Sequence, residues 1–436
     1  MARQMKDSGI EWIGEIPATW GVRKLKNVAD IIRGGSPRPI DAYLTDSAEG
    51  YNWIKIGDTQ KGYKYIDRTK QKIIADGAAK SRIVHKGDLL LTNSMSFGEP
   101  YILNVDGCIH DGWVSFTNYK DISIDFLYYF LSSPLCFIQF QKQVDGGVVQ
   151  NLNIDKVGST IVFVPPTDEQ HRIADFLDRQ CAEIDAVVER TKATIEEYKK
   201  LKQAVITEAV TKGVRGARKM KDSGIEWIGE IPEEWSIRKL FRAIDAIGDI
   251  DHYMPESVET GIPYLMTGDL RENVSKVCFE LCKQVSCEDY MALSAKIKAN
   301  QGDVIFARYA TIGTVCYVDV DKEFLVSYSC LTIKPTYNLL LGKFLFYYLK
   351  STTFYEDVRQ YINSNTQANV GLDSMTKAKI VLPSVCEQEE IISYLDEKCA
   401  ALDTLITKKI ALLTELETYK KSLIYEYVTG KKEVTA

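Results

Sequence analysis

Two stretches of this chain carry the spacing of a buried helical stripe. The first runs Ile173, Leu177, Cys181, Ile184, Val188, Thr191, Ile195, Tyr198, Val205 and Ala209, with steps alternating three and four from Cys181 and Lys202 as the one polar break. The second runs Ile391, Leu395, Cys399, Leu402, Ile406, Leu413, Leu416, Leu423 and Tyr427, with lysines at 409 and 420. Such steps keep one face of a helix apolar, as in a heptad seam. Each stretch predicts a helix of about forty residues, roughly 60 Å long at 1.5 Å per residue. A proline stands shortly before each (Pro166, Pro383), and Gly213 with Gly216 and then Gly430 stand at their ends, as helix starts and stops require. A seam of that length needs a cover, and the simplest is the other seam in an antiparallel pair.

The remaining apolar runs are shorter. Tyr51-Asn-Trp-Ile-Lys-Ile-Gly-Asp58 alternates like a strand closed by Gly-Asp, and Ile262-Pro-Tyr-Leu-Met-Thr-Gly-Asp269 is its counterpart. Lys86-Gly-Asp-Leu-Leu-Leu91 and Gln301-Gly-Asp-Val-Ile-Phe306 read as a turn followed by a buried strand. Phe126 to Ser133 and Phe344 to Ser351 are aromatic and apolar throughout, which predicts a buried helix.

These segments come in pairs because the chain repeats itself. Met5 to Pro17 recurs letter for letter at Met220 to Pro232, 215 residues on and close to half of 436. Glu169-Gln170, Ile173, Leu177-Asp178, Cys181-Ala182 and Asp185 return 218 residues later as Glu387-Gln388, Ile391, Leu395-Asp396, Cys399-Ala400 and Asp403. A repeat at this period means a tandem duplication. The order is globular domain, long helix, globular domain, long helix. Pairing the helices antiparallel predicts a pseudo-two-fold arrangement with a domain at each end of a rod. The repeated Trp12/Trp227 and Trp20/Trp235 are expected to anchor each domain to the helix ends.

Composition adds exclusions. Apolar content of 45% and charged content of 26% are ordinary for a soluble protein. No apolar run reaches eighteen residues and the polar N-terminus lacks a signal-peptide core, so the expectation is a cytoplasmic protein away from the membrane. The ten cysteines follow no disulfide or zinc spacing, and the nearest group, Cys278, Cys282 and Cys287, has no histidine beside it. A net charge of −6 argues against nonspecific coating of nucleic acid and leaves room for local basic patches. A methyltransferase would need an (Asn/Asp)-Pro-Pro-aromatic tetrapeptide, but the single Pro-Pro sits between Val164 and Thr167; a Walker lysine loop is also missing. Four histidines (85, 110, 171, 252) without paired spacing give little material for metal or acid–base chemistry. His110 and Asp111 are adjacent, and a structural role is the simpler reading.

The chain resembles the specificity subunit of type I restriction–modification systems. The likeness spans essentially the whole chain. It rests on the repeated Ser-Gly-Ile-Glu-Trp-Ile-Gly-Glu-Ile-Pro, on Gly34-Gly35-Ser36-Pro37, and on Pro-Pro-x-x-Glu-Gln-x-x-Ile-Ala-x-Phe-Leu-Asp at 165–178 with its counterpart at 387–396. The resemblance implies an α+β protein: two target-recognition domains separated by an antiparallel coiled-coil spacer. The expected boundaries are 1–164 and 216–382 for the domains, and 165–215 and 383–436 for the helices. It implies a non-catalytic chain in which each domain reads one half of a bipartite, asymmetric site in double-stranded DNA. Two methyltransferase subunits and two restriction subunits would be its partners, with S-adenosylmethionine, ATP and Mg held by them and no cofactor or metal in this chain. The Gly-Gly-Ser-Pro segment has no second copy; Gly248 to Pro255 takes its place. Two rivals are a self-contained restriction enzyme, against which the missing motifs count, and a coiled-coil scaffold with no DNA role.

Candidate DNA contacts are the polar residues on loops held by predicted strands. Arg33 and Arg38 flank the Gly-Gly turn, where a guanidinium can take guanine or phosphate; a solvated turn is the alternative. Asn93, Ser94 and Ser96 follow one buried strand, and Arg308, Tyr309 and Thr311 follow its counterpart, as base readout would suit; a polar hairpin tip is the other reading. Lys55 lies beside Trp53 as a further candidate. Lys61, Lys64 and Arg68, with Tyr63 and Tyr65, form a basic cluster that a solvated face explains more simply.

Overall fold

The computed structural model describes residues 3–11, 13–60, 62–93, 98–144, 152–360 and 369–434. The chain forms two compact units: residues 1–191 with 411–436, and residues 192–410. Each long helix therefore contributes one part to each unit, a division that cuts across the boundaries expected from the sequence.

In each unit the exactly repeated stretch is a small hairpin. Met5–Asp7 pairs antiparallel with Glu15–Pro17, and Met220–Asp222 with Glu230–Pro232. Gly9 and Gly14, like Gly224 and Gly229, hold positive φ between 69° and 75°, which a side chain would resist. The hairpin delivers a fully buried tryptophan to the first turn of a long helix. Trp20 Nε1 donates to Glu169 at 3.0 Å, and Trp235 Nε1 donates to Glu387 at 2.8 Å. The expected anchoring role of Trp20 and Trp235 is met; Trp227 packs half-buried on the second core, and Trp12 lies outside the described residues. The neighbouring glutamines repeat as well. Gln170 accepts from Ser123 N and donates to the carbonyls of Asp121 and Pro165. Gln388 accepts from Leu341 N and donates to those of Leu339 and Pro383.

The first unit holds two five-stranded sheets. One runs in the order Asp30–Arg33, Trp113–Thr117, Leu89–Thr92, Pro100–Leu103, Tyr65–Ile66; the other runs Leu44–Thr45, Gln71–Ile73, Tyr51–Ile54, Gly107–Ile109, Arg82–Val84. Leu89 and Leu91 point into a core shared with the helix Ile124–Ser132 and the long helices, while Leu90 points into a core between the sheets with Ile54, Ile109 and Trp113. Burial on both faces is why this strand reads as an unbroken apolar run. The second unit repeats the plan with fewer strands: Ile244–Gly248, Cys330–Pro335, Val304–Ala307, Val315–Tyr317, and then Lys283–Val285, Ile262–Leu265, Leu325–Val326. Val304 and Phe306 face one core, Ile305 and Ala307 another.

The long helices span Thr167–Lys212 and Val385–Val428, 46 and 44 residues. Gly213 and Gly430 close them at positive φ; Gly216 is not needed. Within the first unit the helices run antiparallel, with Phe176 against Tyr427 (ring centroids 4.5 Å apart) and Lys420 Nζ 2.7 Å from Asp185. Within the second unit Lys202 Nζ lies 2.7 Å from Asp403. The seams do not face only each other, however. Ile173, Leu177 and Cys181 pack together with Trp20 and Phe126 as well as Leu423 and Val428, because the globular core claims the start of the stripe. Past Lys202 the buried face turns: Ala209 is buried as expected, Ile206 and Val210 are buried beside it, and Val205 is only half-buried.

Candidate nucleic-acid interface

In the first unit the strand Asp30–Arg33 pairs with Trp113–Thr117, placing Arg33 opposite Val114. That register lays the Gly-Gly turn directly over the backbone of His110. Gly34 N donates to Trp113 O at 2.9 Å, and a Cβ at Gly34 would fall 2.0 Å from the His110 carbonyl oxygen. Only glycine allows that approach.

Asp111 is the centre of the turn. Its carboxylate accepts from the Ser36 hydroxyl at 2.8 Å and pairs with Arg38 at 3.3 Å. Its backbone carbonyl accepts from Arg33 Nε at 3.1 Å and from Asn93 Nδ2 at 3.0 Å. The Ser36 hydrogen bond holds the Asp111 carboxyl below the usual carboxylate range against its partial burial, with His110 and Arg38 adding to the effect. His110 sits between Trp53 and Trp113, with ring centroids 6.2 Å from each. Burial pushes its pKa below the usual imidazole range despite Asp111. Residues 36–40, Trp53, Lys55, His110 and Asp111 line an open hollow of about 610 Å³. Lys55 reaches its wall and donates to Gln71 at 2.7 Å.

Four sequence candidates thus gather in one place: Arg33, Arg38 and Asn93 on Asp111, and Lys55 on the adjoining hollow. They differ in availability. The Arg38 side chain is 82% exposed, whereas Asn93 is 1% exposed. Ser94 and Ser96 lie outside the described residues. Lys64 has a different job from the solvated face expected of its cluster. Its ammonium is held between Asp125 at 2.8 Å and Asp178 at 2.7 Å, over the rings of Tyr128 and Tyr129. Burial alone would lower its pKa, but the two carboxylates outweigh that and raise it.

The second unit carries different chemistry at the corresponding place. Asp249, in the loop after Ile244–Gly248, pairs with Arg308 Nη1 at 3.0 Å. His252 Nε2 lies 3.2 Å from the same carboxylate, and its ring stacks on Tyr328 at 5.0 Å. Arg308 is 9% exposed; its Nη2 donates to the Tyr309 hydroxyl at 3.0 Å, over whose ring the guanidinium sits. Tyr309 is half-buried and Thr311 exposed, at a tip where Ala310 takes a φ of 56°.

Sequence reasoning found the basic residues and missed Asp111 and Asp249, the carboxylates that organise them. The adjacency of His110 and Asp111 is the signal that the sequence offers for the first of them. Among the described residues no group of His, Cys, Asp and Glu could hold a metal ion, and no helix is long and apolar enough to cross a membrane.

Comparison with known proteins gives a consistent result. The family profile described as type I restriction modification DNA specificity domain matches residues 17–197 and 241–415. The type I restriction enzyme MjaVIII specificity subunit of Methanocaldococcus jannaschii is 24% identical, over 96% of this chain and 94% of the relative. The EcoBI specificity subunit of Escherichia coli is 23% identical, over 100% and 90%. A solved chain from a structure concerned with complex assembly and conformational transition of the type I R-M system has a TM-score of 0.71 at 17% identity, covering 96% of this chain and 99% of the other.

Proposed function

This chain belongs to the type I restriction modification DNA specificity family, and on that premise we propose that it is a non-catalytic DNA-reading subunit whose two units each recognise one half of a bipartite, asymmetric target. One observation carries the reading. A duplicated scaffold is kept down to its buried tryptophans and glutamines, while the loops it holds up carry different polar side chains: Arg33, Arg38 and Lys55 around Asp111 in one unit, Arg308, Tyr309 and His252 around Asp249 in the other. Exposed cations such as Arg38 suit phosphate or guanine contact. Unlike loops on like supports suit unlike half-sites.

In this reading the long helices set the gap between the half-sites, and their outer faces receive two methyltransferase subunits, with two restriction subunits completing the assembly in the cytoplasm. S-adenosylmethionine, ATP and Mg belong to those partners. Family membership favours this reading over the coiled-coil scaffold. Genome-wide mapping of methylated bases in a host carrying the chain and its partner subunits tests it: the expected result is a two-part motif with a fixed gap. A continuous motif, or DNA binding that ignores sequence in a gel shift with the methyltransferase present, overturns it.

A further inference from the structure

Asn93 and Arg308 are the same residue of the duplicated unit. They stand 215 positions apart, the period of the exact repeat. Each directly follows a strand buried on both faces. Asn93 N donates to Gly112 O and its carbonyl accepts from Leu152 N, both at 3.0 Å; Arg308 N donates to Ser329 O at 3.1 Å and its carbonyl accepts from Val370 N at 3.2 Å. Backbone bonds in both directions fix this position between two other loops in each unit.

The side chains tie the position further, each through an aspartate: Asn93 to the loop that Gly112 already holds, and Arg308 to a third loop. Asn93 Nδ2 donates to the Asp111 carbonyl, and Arg308 Nη1 pairs with the Asp249 carboxylate. An arginine that reads guanine must offer two N–H groups along one edge to the base. Arg308 instead spends Nη1 on Asp249 and Nη2 on the Tyr309 hydroxyl, with its side chain 11% exposed. His252 and Lys296 also approach Asp249, at 3.2 and 3.7 Å, but their side chains are 57% and 49% exposed. The buried partner of Asp249 is Arg308.

We propose that Arg308, latched to Asp249, and Asn93, latched to Asp111 in the first unit, are positioning residues, and that the exposed tip beyond Arg308 rather than Arg308 itself meets the DNA. This rests on the DNA-reading function proposed above. It revises the expectation that Asn93 and Arg308 touch bases. The duplicated position makes a side-chain tie in both units, amide to backbone carbonyl in one and guanidinium to the carboxylate of a different loop in the other.

The test maps the methylated motif for the full chain with its methyltransferase partners, using Asp249→Asn, Arg308→Lys and the double variant. Asp249→Asn keeps the shape and removes the charge, Arg308→Lys keeps the charge and removes the guanidinium fork, and a thermal melt of each purified complex confirms that it is folded. A latch predicts that either single change lowers discrimination at several positions of one half-site by about tenfold, the scale of one charge-assisted hydrogen bond. It leaves the other half-site unchanged, and the double variant is no worse than the singles because both remove one interaction. If Arg308 reads DNA directly, Asp249→Asn frees its guanidinium and keeps or tightens selection, while Arg308→Lys relaxes a single position; that pattern overturns the proposal. A wild-type complex with no two-part motif overturns the underlying function instead.

Discussion

Glu169 and Glu387 show how much a single side chain carries when a duplicated scaffold reuses it. Each lies in the first turn of a long helix, where the helix dipole favours a negative charge. Each accepts from a buried tryptophan N–H and pairs with an arginine lying over that tryptophan: Arg3 with Glu169, and Arg218 with Glu387. Glu387 is 2% exposed, so its removal leaves the Trp235 N–H without its acceptor and Arg218 with only the more exposed Glu234 and the Lys212 carbonyl. Glu387→Ala is expected to destabilise the chain by about 3 kcal/mol, the scale for breaking a buried ion pair, read as a lowered urea midpoint at unchanged slope. Arg308→Ala removes the latch on the second reading loop and should degrade one half-site only, which the methylated motif would report. The tryptophans and glutamates were legible as repeated letters. Their pairing was not, because it joins residues about 150 positions apart through a hairpin and a helix start.

At the scale of elements, periodicity shows where a stripe lies and not what covers it. The long helices were legible because alternating steps of three and four persist over forty residues. Lys202 and Lys420 appeared as interruptions of the stripe. They are its ion pairs: Lys202 with Asp403 and Lys420 with Asp185, one interaction written twice by the duplication. The loops were legible in type, since glycine, arginine and serine cluster there. Convergence on Asp111 was not, because it follows from the pairing of Asp30–Arg33 with Trp113–Thr117 across some eighty residues. In the second unit the helix pair joins a larger network, with Glu272 between Lys350 at 2.5 Å and Lys202 at 3.1 Å. Burial alone would raise the Glu272 carboxyl, but the two ammoniums outweigh it and hold it at about 2, against 4.5 ordinarily. The sign follows from linkage: a depressed carboxyl lends stability that is full above the unfolded value of 4.5 and is lost as pH falls from there toward about 2. Melting temperature followed from pH 6 to pH 2 should therefore fall less steeply on the acid side for Glu272→Gln than for the original chain, from a lower starting value. Equal acid slopes would remove Glu272 from the network.

At the scale of the molecule the long helices are, among the described residues, the only elements with a part in each unit, which makes them the place where half-site identity and half-site spacing can be separated. Each unit holds its own interhelix ion pair, Asp185 with Lys420 in one and Lys202 with Asp403 in the other. Seven residues inserted into both helices between these pairs, after Lys192 and after Lys409, make two turns of about 10 Å in length and nearly restore the helical phase. Both ion pairs and both cores keep their partners. The expected product reads the same two half-sequences across a longer gap, seen as a shifted spacing in the methylated motif. The same insertion in one helix alone puts the seams out of register and should lower the melting temperature before any question of DNA arises. A double insertion that alters the letters read while leaving the gap unchanged would mean that spacing is set elsewhere, and that these helices serve only to bury their seams.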